Sequence, residues 1–222
     1  MTRAALLFDL DGTLLHSDPL HHAAFERLFA ESGRTISLDQ YNRDIIGRPN
    51  AEIMAHFYPD EPENHAEFAE RKETMFRETL GDSVPPAAGI HALLDWAAET
   101  GAGIAVVTNA PRINAEAMLA ATGLASRFEL LIVGEECARP KPDPLPYQLA
   151  MQRLGVTPAT SVAFEDSGSG LRAARASGAH VFGISSSLAP DLLRQAGAHE
   201  VIPDFTAPAL WSYLTALKAR LS

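Results

Sequence analysis

Ala4-Ala5-Leu6-Leu7-Phe8-Asp9-Leu10-Asp11-Gly12-Thr13-Leu14 runs from an apolar stretch straight into two acids and a glycine. A short apolar run without polar alternation reads as a strand buried on both faces. Asp9 and Asp11 then stand at its carboxyl end, and their i, i+2 spacing sends both side chains to the same side. In open α/β sheets that is where ligands bind. A plain Asp-Gly turn fits the same residues, so the pair alone leaves both readings open.

Similar runs recur downstream. GIAVVT (103–108), ELLIV (129–133), SVAFE (161–165) and HVFGI (180–184) read as further strands, and HEVI (199–202) as a last one. Helical stretches separate them at 114–124, 144–155 and 170–178, with another over 208–221. Strand–helix alternation of this kind predicts an α/β fold, a Rossmann-like parallel sheet with right-handed crossovers and helices on both faces. The rhythm breaks between residues 19 and 80, where 22–33, 50–57 and 65–80 show helical amphipathicity instead. Phe68, Met75, Phe76 and Leu80 fall on one face of the last of these. GDSVPPAAG (81–89) closes the segment with linker composition. The expected organisation is a catalytic core of residues 1–15 and 86–222, with an all-helical cap inserted over 16–85. No internal repeat is present.

The composition narrows the function. With 222 residues, 46% hydrophobic and 21% charged, the chain is neither disordered nor low-complexity. Its 18 Lys+Arg against 28 Asp+Glu give a formal charge of −10, which repels nucleic-acid backbones and anionic lipid at long range. An anionic ligand would therefore need a locally positive site. Cys137 is the only cysteine and cannot close an internal disulfide, which favours a reducing compartment. No apolar run approaches a membrane span, and the N-terminus lacks signal-peptide features, so a soluble cytoplasmic protein is expected.

Three more constellations sit at predicted strand ends. Glu165 and Asp166 in FED would repel the first acid pair unless a cation joined them, and hard oxygen ligands suit Mg²⁺. Alternatively, Asp166 caps the helix that follows. In VVTNA, Thr108 supplies a hydroxyl and Asn109 a backbone N–H where the next helix starts, an arrangement open to an anion. N-capping by either residue is the plainer alternative. In ARPKPDP (138–144) three prolines stiffen the loop around Lys141, the only lysine between residues 73 and 217. It can offer the local positive charge that the acidic protein otherwise lacks.

Acid pair, Thr-Asn, Lys and Glu-Asp follow one another at successive strand ends. In that order they resemble the four motifs of the haloacid dehalogenase-like hydrolase superfamily, over nearly the whole chain. LLHSDPLH and VTNAPRINAEAML resemble its helical-cap subgroup of phosphoglycolate phosphatases, sugar-phosphate phosphatases and β-phosphoglucomutase. The resemblance implies a Mg²⁺-dependent phosphatase acting on a small phosphorylated metabolite, with a phosphomutase as the alternative. It implies Asp9 as nucleophile, Asp11 as general acid/base, Thr108 and the Asn109 backbone as phosphoryl binders, and Lys141 bridging phosphate and nucleophile. The metal would be held by the carboxylates of Asp9 and Asp166 and the carbonyl of Asp11, with Glu165 close or ligating. Nucleic acid and membrane are not expected partners, and the chain would act as a monomer or homodimer.

Asp11 argues against dehalogenation, because relatives that cleave carbon–halogen bonds lack that second acid. GRPN (47–50) holds no lysine where phosphonate-cleaving relatives need one. In the cap, Arg48 follows Gly47 in an expected interhelix loop, and His21 lies where β-phosphoglucomutase also has a histidine. Both are substrate-facing candidates. His22 diverges from His21 by about 100° on a helix, so the two are poor joint metal ligands. Arg112 lies near the phosphate loop, where it adds charge or serves the surface. Cys137 reads as a small buried residue and not as a nucleophile. GSGLRA (168–173) fits a dinucleotide fingerprint, but it lies in a late βα unit and beside two acids.

Overall fold

The computed structural model describes residues 3–221. Two compact units emerge, one running up to His16 and resuming at Pro85, the other spanning Ser17–Val84. The helical unit holds α1 (Asp18–Glu31), α2 (Leu38–Asp44), α3 (Asn50–Phe57) and α4 (His65–Leu80). In the α/β unit the helices are α5 (Ile90–Thr100), α6 (Arg112–Ala121), α7 (Leu145–Leu154), α8 (Gly168–Ala176), α9 (Pro190–Ala196) and α10 (Pro208–Leu221). Its strands are β1 (Ala5–Phe8), β2 (Gly103–Thr108), β3 (Leu130–Val133), β4 (Ser161–Glu165), β5 (His180–Ile184) and β6 (Glu200–Ile202).

Among the described residues the six strands are all parallel, in the order β3-β2-β1-β4-β5-β6. The Rossmann-like α/β class expected from the strand pattern is the one observed. The chain lays β2 and β3 to one side of β1, then returns to place β4 on the other side. That reversal opens a crevice beyond the carboxyl ends of β1 and β4, which is where Asp9, Glu165 and Asp166 fall.

Alternation along the strands builds a core on each face. Phe8 pairs with Phe164 and Phe164 with Phe182 in register, and their rings stack at 4.9 and 5.8 Å between centroids. Phe205 closes on Phe164 edge-on at 5.3 Å. On the opposite face Leu7, Ala105, Ala163 and Val181 pack against Tyr147, Met151 and Leu171. The acids at the ends of β1 and β4 thus emerge from a buried aromatic ladder.

Three helices lie outside the stretches singled out from the sequence. One is α5, whose Ile90, Leu93, Leu94 and Ala97 are buried at i, i+3, i+4 and i+7 spacing. It ends at Gly101, which takes the left-handed conformation at φ 69°. The others, α2 and α9, have seven residues each, too short for a clear period. Within the helical unit Phe25, Phe29, Tyr41, Ile53, Met54 and Tyr58 form a separate core, against which Phe68 and Met75 pack. No helix among the described residues is long and apolar enough to cross a membrane.

Candidate active site

Separate loops deliver the charged groups to one place. Asp9 directly follows β1, Glu165 ends β4 with Asp166 next, and Lys141 sits in the proline-stiffened loop before α7. All four are buried, with Glu165 fully inaccessible. The Lys141 ammonium donates to Asp9 Oδ1 at 2.6 Å and to Glu165 Oε1 at 2.5 Å. Tyr147, on the first turn of α7, donates its hydroxyl to the same Glu165 oxygen at 2.6 Å. Ser167 donates to Glu165 Oε2 at 3.1 Å, so both oxygens of Glu165 carry protein donors.

The surrounding backbone is shaped to this cluster. Ser167, not Asp166, caps α8, accepting from the Gly170 N–H at 3.0 Å. Asp166 instead accepts a hydrogen bond from the Ser187 hydroxyl at 2.6 Å. A Cβ at Gly170 would overlap the Glu165 carboxylate. That glycine of GSGLRA therefore makes room for an acid of the cluster, and the fingerprint leaves no space there for a pyrophosphate.

Thr108 ends β2 and Asn109 follows it beside the lysine loop, and neither caps α6, which follows Pro111 without a side-chain cap. Thr108 Oγ1 accepts from the Ala110 N–H at 2.9 Å. The Asn109 amide exchanges two bonds with the backbone of Lys141, Nδ2 to the carbonyl at 3.0 Å and Oδ1 from the N–H at 3.2 Å. A Cβ on Gly134 would collide with that amide oxygen. Asn109 thus fixes the loop that carries Lys141, a role of its side chain that the motif did not reveal.

Burial first, then Glu165 and more weakly Asp11, push the Asp9 carboxyl up to about 8 against the pull of Lys141. Burial opposes the Lys141 ammonium, but Asp9 and Glu165 outweigh it and hold the amine above its usual range. Burial and Glu165 raise the Tyr147 phenol well above the usual range, so it stays a donor. Three buried carboxylates around one ammonium are short of positive charge. Oxygens of Asp9, Glu165 and Asp166 all lie within 4.8 Å of one another. An all-oxygen anionic set of this kind fits a hard divalent cation. Asp11 is only partly buried in the following turn and lies outside that carboxylate group, although its charge reaches Asp9.

A pH test of this deficit follows from linkage. Folded Asp9 keeps its proton up to about 8, whereas the unfolded chain releases it in the usual carboxylate range, so stability falls as pH rises through that window. His180 works in the opposite sense. Burial first, then His199, Arg175 and Arg220, lower it to about 4, so its effect is confined below the ordinary histidine value of about 6.5. Between pH of about 6.5 and 8.5 the Asp9 contribution is unopposed by His180, and the Tm of the metal-free protein should fall. Mg²⁺ should raise the Tm more at the upper end of this range, as read by calorimetry. An equal gain at both ends would break the link between the cation and Asp9.

The remaining candidates lie apart from this cluster or inside the other unit. Arg48 is exposed in the connection between α2 and α3. His21, on α1, is half-buried; its Nδ1 lies 2.9 Å from Lys72 Nζ, and its ring stacks on Phe76 at 4.0 Å. Lys72 also donates to Glu73 at 2.9 Å, and Asn50 donates to Glu73 at 2.6 Å. Burial alone would raise the Glu73 carboxyl, but Lys72 and Asn50 hold it below the usual range. This buried polar group on α1, α3 and α4 was not singled out from the sequence. Arg112 is committed to Glu136 and Glu116 at the surface. Cys137 is half-buried, and burial pushes its thiol up, away from nucleophilic character.

Comparison with known proteins points the same way as the geometry. The family model described as haloacid dehalogenase-like hydrolase matches residues 6–184. A phosphorylated carbohydrates phosphatase of Thermotoga maritima is 31% identical over 191 residues, covering 83% of this chain and 86% of the relative. A phosphoglycolate phosphatase of Xylella fastidiosa is 36% identical over 179 residues, covering 78% and 76%. Among solved structures, a HAD hydrolase, family IA, variant 3, from Entamoeba histolytica superposes with a TM-score of 0.85 at 25% identity, covering 97% of this chain and 99% of that one.

Proposed function

Since the chain belongs to the haloacid dehalogenase-like hydrolases and is a phosphoric monoester hydrolase, we propose that it uses Mg²⁺ and an aspartyl-phosphate on Asp9 to release phosphate from a small metabolite. The substrate class is a sugar phosphate or a phosphoglycolate-like monoester, as the names of both relatives suggest. The observation that carries the reading is the buried ammonium of Lys141 shared between Asp9 and Glu165 at a topological switch point.

In this reading the Asp9 carboxylate attacks phosphorus, forming an O–P bond as the ester O–P bond breaks. A carboxylate repels an approaching phosphate, and Lys141, already on Asp9, offsets that repulsion and meets a phosphoryl oxygen. Thr108 and the Asn109 N–H bind further phosphoryl oxygens. Asp11 gives its proton to the leaving oxygen, then takes one from the water that hydrolyses the acyl phosphate. Glu165, with both oxygens occupied by protein donors, holds Lys141 in place. The carboxylates of Asp9 and Asp166 and the Asp11 carbonyl would hold Mg²⁺, with Glu165 adjacent. When bound, the ion supplies neutralisation of phosphoryl charge.

The test is phosphate release from phosphoglycolate, hexose phosphates, pentose phosphates and nucleotides, with Mg²⁺ and with EDTA. Release from the first three classes only with the metal is expected. Full activity in EDTA would overturn the metal assignment, and transfer to a second sugar hydroxyl instead of water would indicate a mutase.

Arg48 and His21 are the residues of the helical unit assigned to leaving-group choice. Arg48→Ala is expected to raise KM for the preferred metabolite about tenfold, roughly 1.4 kcal/mol, while turnover of a small aryl phosphate changes little. Equal losses on both substrates would place Arg48 in the chemistry or the fold instead.

A further inference from the structure

The segment after β5, Ser185-Ser186-Ser187, lies outside the four motifs, yet two of its hydroxyls reach the candidate site. The Ser186 hydroxyl donates to the Gly12 carbonyl at 2.6 Å, and the Ser187 hydroxyl donates to Asp166 Oδ2 at 2.6 Å. Gly12 is what lets the turn, Asp166 and Ser187 come this close. Gly12 adopts φ 71°, and a Cβ there would overlap the Asp166 carboxylate and come within 2.9 Å of Ser187 Oγ. The sheet explains the meeting, because β4 and β5 are neighbours in register and their following segments leave from adjacent strand ends.

We infer that Ser187 is a positioning residue for the cation site, orienting the Asp166 carboxylate, and that Ser186 tethers its segment to the Asp-Gly turn. The physical reason lies in the torsion of a carboxylate. The last torsion of an aspartate is broad, so an untethered Asp166 would sample planes unsuited to a cation held jointly with Asp9. One hydroxyl donor on Oδ2 fixes that plane and leaves the carboxylate further acceptor capacity. Donors to a ligating carboxylate commonly change metal affinity by about 10–100-fold. The hydrogen bond from Ser186 holds the segment against the turn, so that Ser187 cannot swing away from Asp166.

The inference rests on the reading of Asp166 as a metal ligand, and the experiment separates the two. Titrating metal-free protein with Mg²⁺ in a calorimeter gives a Kd without any turnover. Ser187→Ala is expected to raise this Kd about tenfold or more, Ser187→Thr to restore it, and Ser186→Ala to weaken binding in the same direction. The Tm of each metal-free variant should stay near that of the parent, which separates orientation from folding. If Asp166→Asn loses Mg²⁺ binding while Ser187→Ala binds as tightly as the parent, the inference is overturned and the metal reading stands. If the parent binds no Mg²⁺, or Asp166→Asn binds it unchanged, both fall.

Discussion

Asp9→Asn is expected to abolish phosphate release, by about 10⁴-fold or more, the scale on which removing a covalent nucleophile acts. The amide keeps the shape of the side chain and can still accept from Lys141, so the loss would be chemical and not architectural. Stability provides the control. Burial and Glu165 push the Asp9 carboxyl up to about 8, which means that its ionised form is costly in the metal-free fold. Replacing it with a neutral amide should leave the Tm of the metal-free protein at pH of about 8 no lower than the parent's. The Tm gain on adding Mg²⁺ should shrink, because one carboxylate of the group is gone. A dead enzyme that folds at least as well is the expected result. Substantial activity in this variant would sink the aspartyl-phosphate mechanism outright.

Why this aspartate could be picked from the sequence, and its partners only in part, is a matter of range. Strand periodicity is local, and an acid immediately after a buried strand is legible because its position in an open sheet is fixed by the fold class. Asp9 and Asp166 follow that rule, and Thr108 and Glu165 are the last residues of β2 and β4, so all four stand at the same edge of the sheet. Lys141 was conspicuous for another local reason, a lone lysine among prolines. Tyr147 carried no such signal. It sits inside an ordinary helical stretch, and its bond to Glu165 depends on how α7 packs across the sheet. Ser187 is similar, since a run of serines reads as a loop and its partner lies 21 residues away. The α5 helix is a different kind of omission, because Ile90, Leu93, Leu94 and Ala97 have readable helical spacing. In the helical unit Lys72 and Glu73 look like surface charges in an amphipathic helix. Only the packing of α1, α3 and α4 buries them with His21 and Asn50.

Lys141→Ala should strike both function and fold, and the two can be measured apart. Its ammonium is the single cation directly bonded to Asp9 and Glu165 among the described contacts, and its side chain is 2% exposed. Removing it leaves Glu165, and Asp9 wherever that is ionised, without their shared buried partner, a change that typically costs about 3–5 kcal/mol. Mg²⁺ should recover part of that loss, since a divalent ion offsets the same excess of negative charge. Activity should not recover with it. A preorganised charge aimed at developing phosphoryl charge is worth about 10²–10³-fold in kcat, and alanine supplies none. The comparison is therefore made at saturating Mg²⁺ and below the variant's Tm, where the protein is folded and only the missing ammonium distinguishes it. There kcat/KM should remain down by at least about 10²-fold. Lys141→Arg keeps the charge but replaces a compact ammonium, buried over the Tyr147 ring, with a larger planar fork, so it should not restore activity. A folded Lys141→Ala protein that keeps kcat/KM within about tenfold of the parent, or 1.4 kcal/mol, would show the lysine to be a counter-ion for burial and not part of the reaction.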